Sequence, residues 1–90
     1  MRYTYWRYIG GESITVGYIL ITVKPHHKKE VLDVLARTSD VSDVYPIYGD
    51  YDIIAKIKAN SFASLGRIIV RKILCLESVL ATKTYTVQEN

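Results

Sequence analysis

The chain has 90 residues, of which 49% are hydrophobic and 23% are charged, and its formal net charge is +3. This length fits one domain with a single core, and so small a charge does not by itself indicate a polyanionic partner. No apolar run approaches the roughly 20 residues of a membrane helix, and no signal-peptide pattern stands at the start. We therefore expect a cytoplasmic protein.

The single cysteine and the basic clusters both have a plain structural interpretation. Cys75 stands among three large aliphatic residues, so we expect it to be buried, and it cannot form an internal disulfide. The basic residues are densest at 24–29 and 67–72, on predicted helices or at their start. A solvated helix face is favoured for both clusters over contact with nucleic acid.

Residues 1–15 are unusually rich in aromatic side chains. The segment holds Tyr3, Tyr5, Trp6 and Tyr8, followed by Gly10-Gly11. Alternation suits a strand and the glycine pair suits a turn. We predict an N-terminal extension over 1–15, either an extra strand on a sheet edge or an arm to a neighbouring subunit, ahead of a domain over 16–90.

The first half of that domain predicts a strand, a helix and a second strand. Apolar residues alternate over 16–24 and place three of them on one face: Ile19, Ile21 and Val23. Pro25 ends this strand, and helical periodicity predicts a helix from residue 26 to about 38. We interpret 39–43 as a polar connection, with a strand beginning at Val44.

The second half repeats the pattern with a strand over 53–59, a helix and a last strand over 79–87. Asn60 or Ser61 is the expected helix cap. The apolar face of this helix consists of Phe62, Leu65, Ile69 and Ile73. Alternate positions of the last strand hold Leu80, Thr82, Thr84 and Thr86.

This order of elements predicts a ferredoxin-like βαββαβ sandwich, an α+β fold with a four-stranded antiparallel sheet and two helices on one face. The other sheet face is expected to carry apolar residues among threonines and lysines: Tyr18, Leu20, Ile54 and Leu80. Such a face is too apolar to remain in solvent. We therefore predict a dimer packed sheet against sheet, an α/β-barrel-like assembly.

The stretch 46–55, between the second and third strands, carries a glycine, two acids and two tyrosines. Gly49 can adopt positive φ and Asp50 can bond neighbouring backbone, so a hairpin turn is the local expectation. Most such stretches are only turns. A tight hairpin needs two or three turn residues, however, and four polar side chains here indicate a candidate site.

Three segments resemble the effector-binding domain of the Lrp/AsnC regulators, often called RAM. They are Tyr18-Ile19-Leu20-Ile21-Thr22-Val23-Lys24-Pro25 with Glu30-Val31-Leu32 behind it, Val44-Tyr45-Pro46-Ile47-Tyr48-Gly49-Asp50-Tyr51-Asp52, and Val79-Leu80-Ala81-Thr82-Lys83-Thr84. The middle segment is the most specific, because the glycine, both acids and the tyrosine stand in the family's order. The resemblance covers residues 17–89, about four fifths of the chain.

The resemblance implies a module that binds a free amino acid and oligomerises, in the regulation of amino-acid metabolism, and that is not an enzyme. Regulators of this family place a helix-turn-helix domain of roughly sixty residues ahead of the module, whereas about fifteen precede it here. The chain thus resembles stand-alone members of archaea and bacteria. These form dimers, commonly joined as rings of four dimers, an octamer, with the amino acid between neighbouring dimers.

The same resemblance implies partners and a site. We expect co-assembly with full-length regulators, no direct DNA binding, no membrane contact, and no metal or cofactor. The candidate ligand-binding residues are Tyr48, Gly49, Asp50, Tyr51, Asp52, Thr82 and Thr84.

Each candidate has a chemical role and a structural alternative. Asp50 or Asp52 would accept from the ligand's ammonium, and N–H groups around Gly49 would bind its carboxylate. The tyrosine rings would line the space around the ligand's side chain, and the threonine hydroxyls would add hydrogen bonds. Equally, Asp52 can cap the turn, the threonines can be β-formers, and the tyrosines can fill an interface.

Two other function classes use this fold. An enzyme lacks support, because His26 and His27 are adjacent and would point to different helix faces, no histidine is placed to activate Cys75, and Lys24-Pro25-His26 replaces the arginine loop of an acylphosphatase. RNA binding would use strand aromatics, here Tyr18, Tyr45 and Tyr85, although the usual flanking glycine and basic pattern is absent. A purely structural assembly module also remains open.

Overall fold

A computed structural model of the chain describes residues 14–89. Its elements are β1 (Ile14–Val23), α1 (Lys28–Ala36), β2 (Val41–Pro46), β3 (Ile53–Ala59), α2 (Phe62–Ile69) and β4 (Val79–Glu89). A π-helical turn, Val70–Leu74, extends α2. The predicted order of elements is confirmed. The predicted N-terminal extension falls almost wholly outside the described residues.

The four strands form one antiparallel sheet in the order β2-β3-β1-β4. Helix α1 packs on β2 and β3, and α2 packs on β1 and β3. The ferredoxin-like sandwich is therefore confirmed. It places the two βαβ halves side by side, with β1 and β3 as the central strands.

The core lies between the sheet and the helices. The sheet contributes Ile19, Ile21, Val23, Ile53, Ala55 and Ile57, and the helical segments contribute Val31, Leu35, Leu65, Ile69 and Ile73. Both predicted strand faces are thus buried, as their alternation required. The predicted helix face is wrong at Phe62, which is 66% exposed because it begins α2 at the edge of the sandwich.

The threonines of β4 lie on the side opposite to the one we predicted. Thr82 pairs with Ile21 and Thr84 pairs with Ile19, so both face the helices. Alternation defines two faces of a strand, but only the pairing register decides which one meets the core. A register shift between Thr22 and Val23 interrupts this ladder, and Leu80 has no pairing partner there and is exposed.

The sheet face away from the helices, which we call the open face, consists of two cross-strand rows. One row runs Tyr45, Ile54, Leu20, Lys83, and the next runs Asp43, Lys56, Tyr18, Tyr85. One end of each row is a tyrosine that is more than half exposed, Tyr45 at 59% and Tyr85 at 52%, and Ile54 and Leu20 form the apolar centre of the first row.

Two local expectations are wrong. Strand β2 begins at Val41 rather than at Val44, because an edge strand tolerates polar residues such as Ser42 and Asp43. Cys75 is exposed, and its thiol donates to the carbonyl of Arg71 at 2.8 Å. It follows the π-helical turn. The aliphatic neighbours that predicted its burial do not show which residues face the core, since Ile73 is buried and Leu74 is exposed.

Between residues 14 and 89, no helix is long and apolar enough to cross a membrane.

Candidate functional site

Residues 47–52 connect β2 to β3 and form a pinned loop rather than the expected tight hairpin. The Ile47 N–H donates to the carbonyl of Asp52 at 2.8 Å and closes the base of the loop. The Asp52 N–H donates to the carbonyl of Ile21 at 2.9 Å. This 47–52 loop is therefore fixed at the end of the central strand β1.

Asp52 joins the loop to β1 through its side chain as well. Its Oδ2 accepts from the N–H of Val23 at 2.9 Å, in a partly buried position. The side chain thus takes the place of a strand carbonyl just beyond the last β1–β3 pair, Ile21 with Ile53. Within the described residues its other oxygen, Oδ1, has no hydrogen-bond partner. Asp52 therefore has a structural role, and its role in ligand binding stays a prediction.

Gly49 and Asp50 form the outer part of the loop. Gly49 has φ +129°, a conformation that residues with a Cβ rarely adopt. Among the described residues, no atom outside Gly49 and its two chain neighbours lies within 4 Å of the position where its Cβ would stand. Asp50 is exposed and makes no hydrogen bond or ion pair with any described residue. The backbone and one carboxylate are therefore both open to a ligand.

The conformation of Gly49 yields a matched test. We expect Gly49→Ala to lower the free energy of unfolding by about 1–3 kcal/mol, because alanine is strained at this φ even where space is free. The control is Gly66→Ala in α2, where space is also free; alanine there should stabilise by about 0.5–1 kcal/mol. Urea unfolding measures both, and changes of the same sign would contradict the assignment.

Lys28, the first residue of α1, reaches the same loop. Its Nζ donates to the carbonyl of Ile47 at 2.8 Å and lies 3.9 Å from the centroid of the Tyr48 ring, a cation–π distance. The sequence favoured a solvated helix face for the basic cluster at 24–29, to which Lys28 belongs, but the structure has Lys28 half-buried. The one available signal was its position, since a cation in the first helical turn is disfavoured by the helix dipole.

The two tyrosines of the loop lie in different surroundings. Tyr48 covers Lys28 and is 90% exposed. Tyr51 is half-buried and lies near Lys83. The pKa of the Lys83 ammonium is raised, first by a hydrogen bond and charge interaction with Tyr85 and then by charge interaction with Tyr51. Only Tyr48 therefore stands beside the Lys28 ammonium.

Thr82 and Thr84 share the sheet end with the loop but do not line it within one chain. Both threonines stand on β4, where they pair with Ile21 and Ile19 of β1, and β1 lies between β4 and β3. Neighbouring strands are about 4.8 Å apart, so Thr82 is about 10 Å from Ile53, where the loop ends. The structure thus brings together the loop residues of the predicted set and leaves the threonines two strands away.

One side-chain cluster resembles a hydrolase relay but cannot act as one. The Oγ of Ser78 lies 3.2 Å from Nδ1 of His27, and Oε1 of Glu30 lies 2.9 Å from the same nitrogen. A serine–histidine–acid relay uses the two ring nitrogens for the two partners. These contacts instead tie the start of α1 to the start of β4. Residues 14–89 also contain no group of three or more acids, histidines or cysteines placed to hold a metal ion.

Comparisons with known proteins agree on one family. A model of the Lrp/AsnC ligand binding domain matches residues 16–90. The chain is 30% identical over 83 residues to the uncharacterized HTH-type transcriptional regulator YugG of Bacillus subtilis, covering 89% of this chain and 50% of that protein. The chain therefore spans about half the length of the curated regulators that it matches.

Solved structures share the fold. The hypothetical protein PHS023 from Pyrococcus horikoshii superposes with a TM-score of 0.77 at 26% identity, over 81% of this chain and 88% of that one. The structure of E. coli AsnC gives 0.77 at 25% identity, over 84% and 52%. The family is a ligand-binding domain of transcriptional regulators rather than an enzyme family, which supports a regulatory, effector-binding role. The motifs, the fold and the match over residues 16–90 together show that the chain belongs to the Lrp/AsnC ligand-binding domain family.

Proposed function

We propose that this chain binds a free amino acid and oligomerises, and that it serves the transcriptional regulation of amino-acid metabolism. The observation that carries the proposal is the 47–52 loop, in a family of ligand-binding domains. The loop presents an unpaired carboxylate at Asp50, a free oxygen of Asp52 and the open backbone of Gly49 within four residues.

These groups match the charges of an α-amino acid. Its ammonium needs a charged acceptor, which Asp50 and the Oδ1 of Asp52 supply. Backbone N–H groups near Gly49 can approach its carboxylate, because no side chain stands between them and the ligand. The Tyr48 ring would then line the space around the ligand's side chain.

The predicted threonines join this site most simply from a second copy. Within one chain Thr82 is two strands from the loop, about 10 Å from Ile53. We therefore propose that Thr82 and Thr84 contribute across a contact between dimers. This placement makes assembly part of ligand binding.

We propose that the dimer forms through the open face, because its apolar centre needs cover. A ring of four such dimers is the assembly that the family resemblance favours. We also propose that the chain acts on transcription through co-assembly with full-length regulators and makes no sequence-specific contact with DNA of its own.

Calorimetric titration of each standard L-amino acid into the purified protein tests the function. We expect saturable binding of at least one of them, and none of its des-amino analogue, because that analogue lacks the ammonium that the loop acids accept. A complete screen without a binder would refute the effector role and leave an assembly module.

RNA binding is the second candidate, and a feature of the open face favours it. Tyr18 and Tyr85 pair across β1 and β4, with Lys56 Nζ 5.8 Å from the Tyr18 ring centroid and Lys83 Nζ 5.5 Å from the Tyr85 ring centroid. Aromatic rings flanked by cations stack bases. A salt-sensitive mobility shift with RNA oligonucleotides would support this function, whereas a dimer on the same face would exclude it.

A further inference from the structure

Lys28 lies at the loop that we propose as the effector site, and the role argued here for Lys28 rests on that proposed function. Lys28 belongs to a helix, so its backbone is fixed, and its half-buried ammonium is held at the 47–52 loop. One of its three N–H groups points to the Ile47 carbonyl, and the Tyr48 ring lies 3.9 Å away. This is a cation held at the loop by two separate contacts.

No described residue forms an ion pair with that cation. The acids nearest in sequence have other partners, since Glu30 contacts His27 at 2.9 Å and Asp33 contacts Lys29 at 3.3 Å. Lys28 itself is in no ion pair among residues 14–89. A carbonyl and an aromatic ring stabilise an ammonium without cancelling its charge. A half-buried cation of this kind favours an anionic partner from outside the chain.

We infer that Lys28 binds the carboxylate of the amino-acid effector, while Asp50 and Asp52 bind its ammonium. The loop alone offers two negative charges and no cation, so only its neutral backbone N–H groups are available there for a carboxylate. With Lys28 the site carries both signs, and it selects ligands that have both groups. Lys28 is thus a specificity-determining residue.

A purely structural alternative is that Lys28 only clamps the loop through Ile47 and Tyr48. The two roles differ in what can replace the lysine. The hydrogen bond of a clamp needs an N–H donor, which glutamine retains. The cation–π contact with the exposed Tyr48 ring is lost in glutamine, but that contact is worth only about two- to fivefold in affinity. Recognition of a carboxylate needs a positive charge, which arginine retains and glutamine lacks.

The test titrates each standard L-amino acid into the unaltered protein and into Lys28→Gln and Lys28→Arg. The control is Lys29→Gln, since Lys29 is the exposed neighbour in the same helix. For every amino acid that binds the unaltered protein, we expect at least about a thirtyfold loss of affinity in Lys28→Gln, a loss below about tenfold in Lys28→Arg, and no change in the control.

Three results would overturn the inference alone: unchanged binding in Lys28→Gln, equal losses in the glutamine and arginine variants, or a similar loss in Lys29→Gln. Absence of binding by the unaltered protein would instead refute the proposed function, and this inference with it. The two failures are therefore distinguishable.

Discussion

The Asp52→Ala protein is expected to bind none of the amino acids that bind the unaltered chain, and to be less stable. Two separate contacts are lost. Without the carboxylate, the partly buried N–H of Val23 has no acceptor, which costs about 1–3 kcal/mol. A bound ammonium would lose one of its two charged partners, which costs roughly 2–5 kcal/mol of binding free energy, up to several thousandfold in affinity. Urea unfolding and calorimetry measure the two effects.

Asp52→Asn separates them, because its amide oxygen still accepts from Val23 but carries no charge. We expect near-normal stability and lost binding in that variant. Asp50→Ala should also weaken binding while changing stability by less than about 0.5 kcal/mol, since Asp50 is exposed and makes no ion pair with a described residue. Normal amino-acid binding in both Asp52 variants would move the site elsewhere.

The Ile54→Lys protein is expected to be monomeric at concentrations where the unaltered protein is a dimer. Ile54 lies at the centre of the open face, between Leu20 and Tyr45. In a two-fold symmetric dimer the substitution enters the interface twice. Burying two unpaired ammonium groups should cost about 3 kcal/mol or more, which weakens association at least about a hundredfold.

Light scattering over a dilution series measures this change. Val70→Lys is the matched control, because Val70 is also an exposed aliphatic residue (57%) but lies on the helical side. A monomeric unaltered protein at micromolar concentration would contradict the predicted dimer. So would an Ile54→Lys protein that keeps the size of the unaltered one.

The sequence predicts the fold well because burial here follows simple periods. Ile19, Ile21 and Val23 alternate without interruption, and a strand with such a face must bury it. The helical spacing of Leu65, Ile69 and Ile73 predicts their burial in the same way. Such patterns are local, so they can be read without knowing which strands pair.

Expectations fail where the answer depends on a partner that is distant in sequence. The side of the sheet that Thr82 faces depends on its pairing with Ile21, which alternation within β4 does not contain. The inward position of Lys28 depends on a carbonyl 19 residues away. The prediction for Cys75 fails for a local reason, because aliphatic neighbours in sequence do not show which residues of a helical segment face the core.

The candidate site was predicted less fully than the fold. The composition of the 47–52 loop indicated polar binding groups, and Gly49 has the positive φ that its residue type allows. Composition does not show that one oxygen of Asp52 is committed to Val23, or that a cation from α1 lies beside the loop. Both are tertiary contacts.

The hydrogen bond between Asp52 and Val23 also restricts the candidate site to the folded chain. It joins positions 29 residues apart, across the end of the β1–β3 ladder. An unfolded chain cannot hold these groups together, so an effector bound at the loop recognises the native sheet alone. By mass action, binding at one site adds RT ln(1 + [L]/Kd) to the free energy of unfolding, where [L] is the concentration of free effector. The cellular concentration of the amino acid would then set not only the occupancy of the protein but also its lifetime against proteolysis.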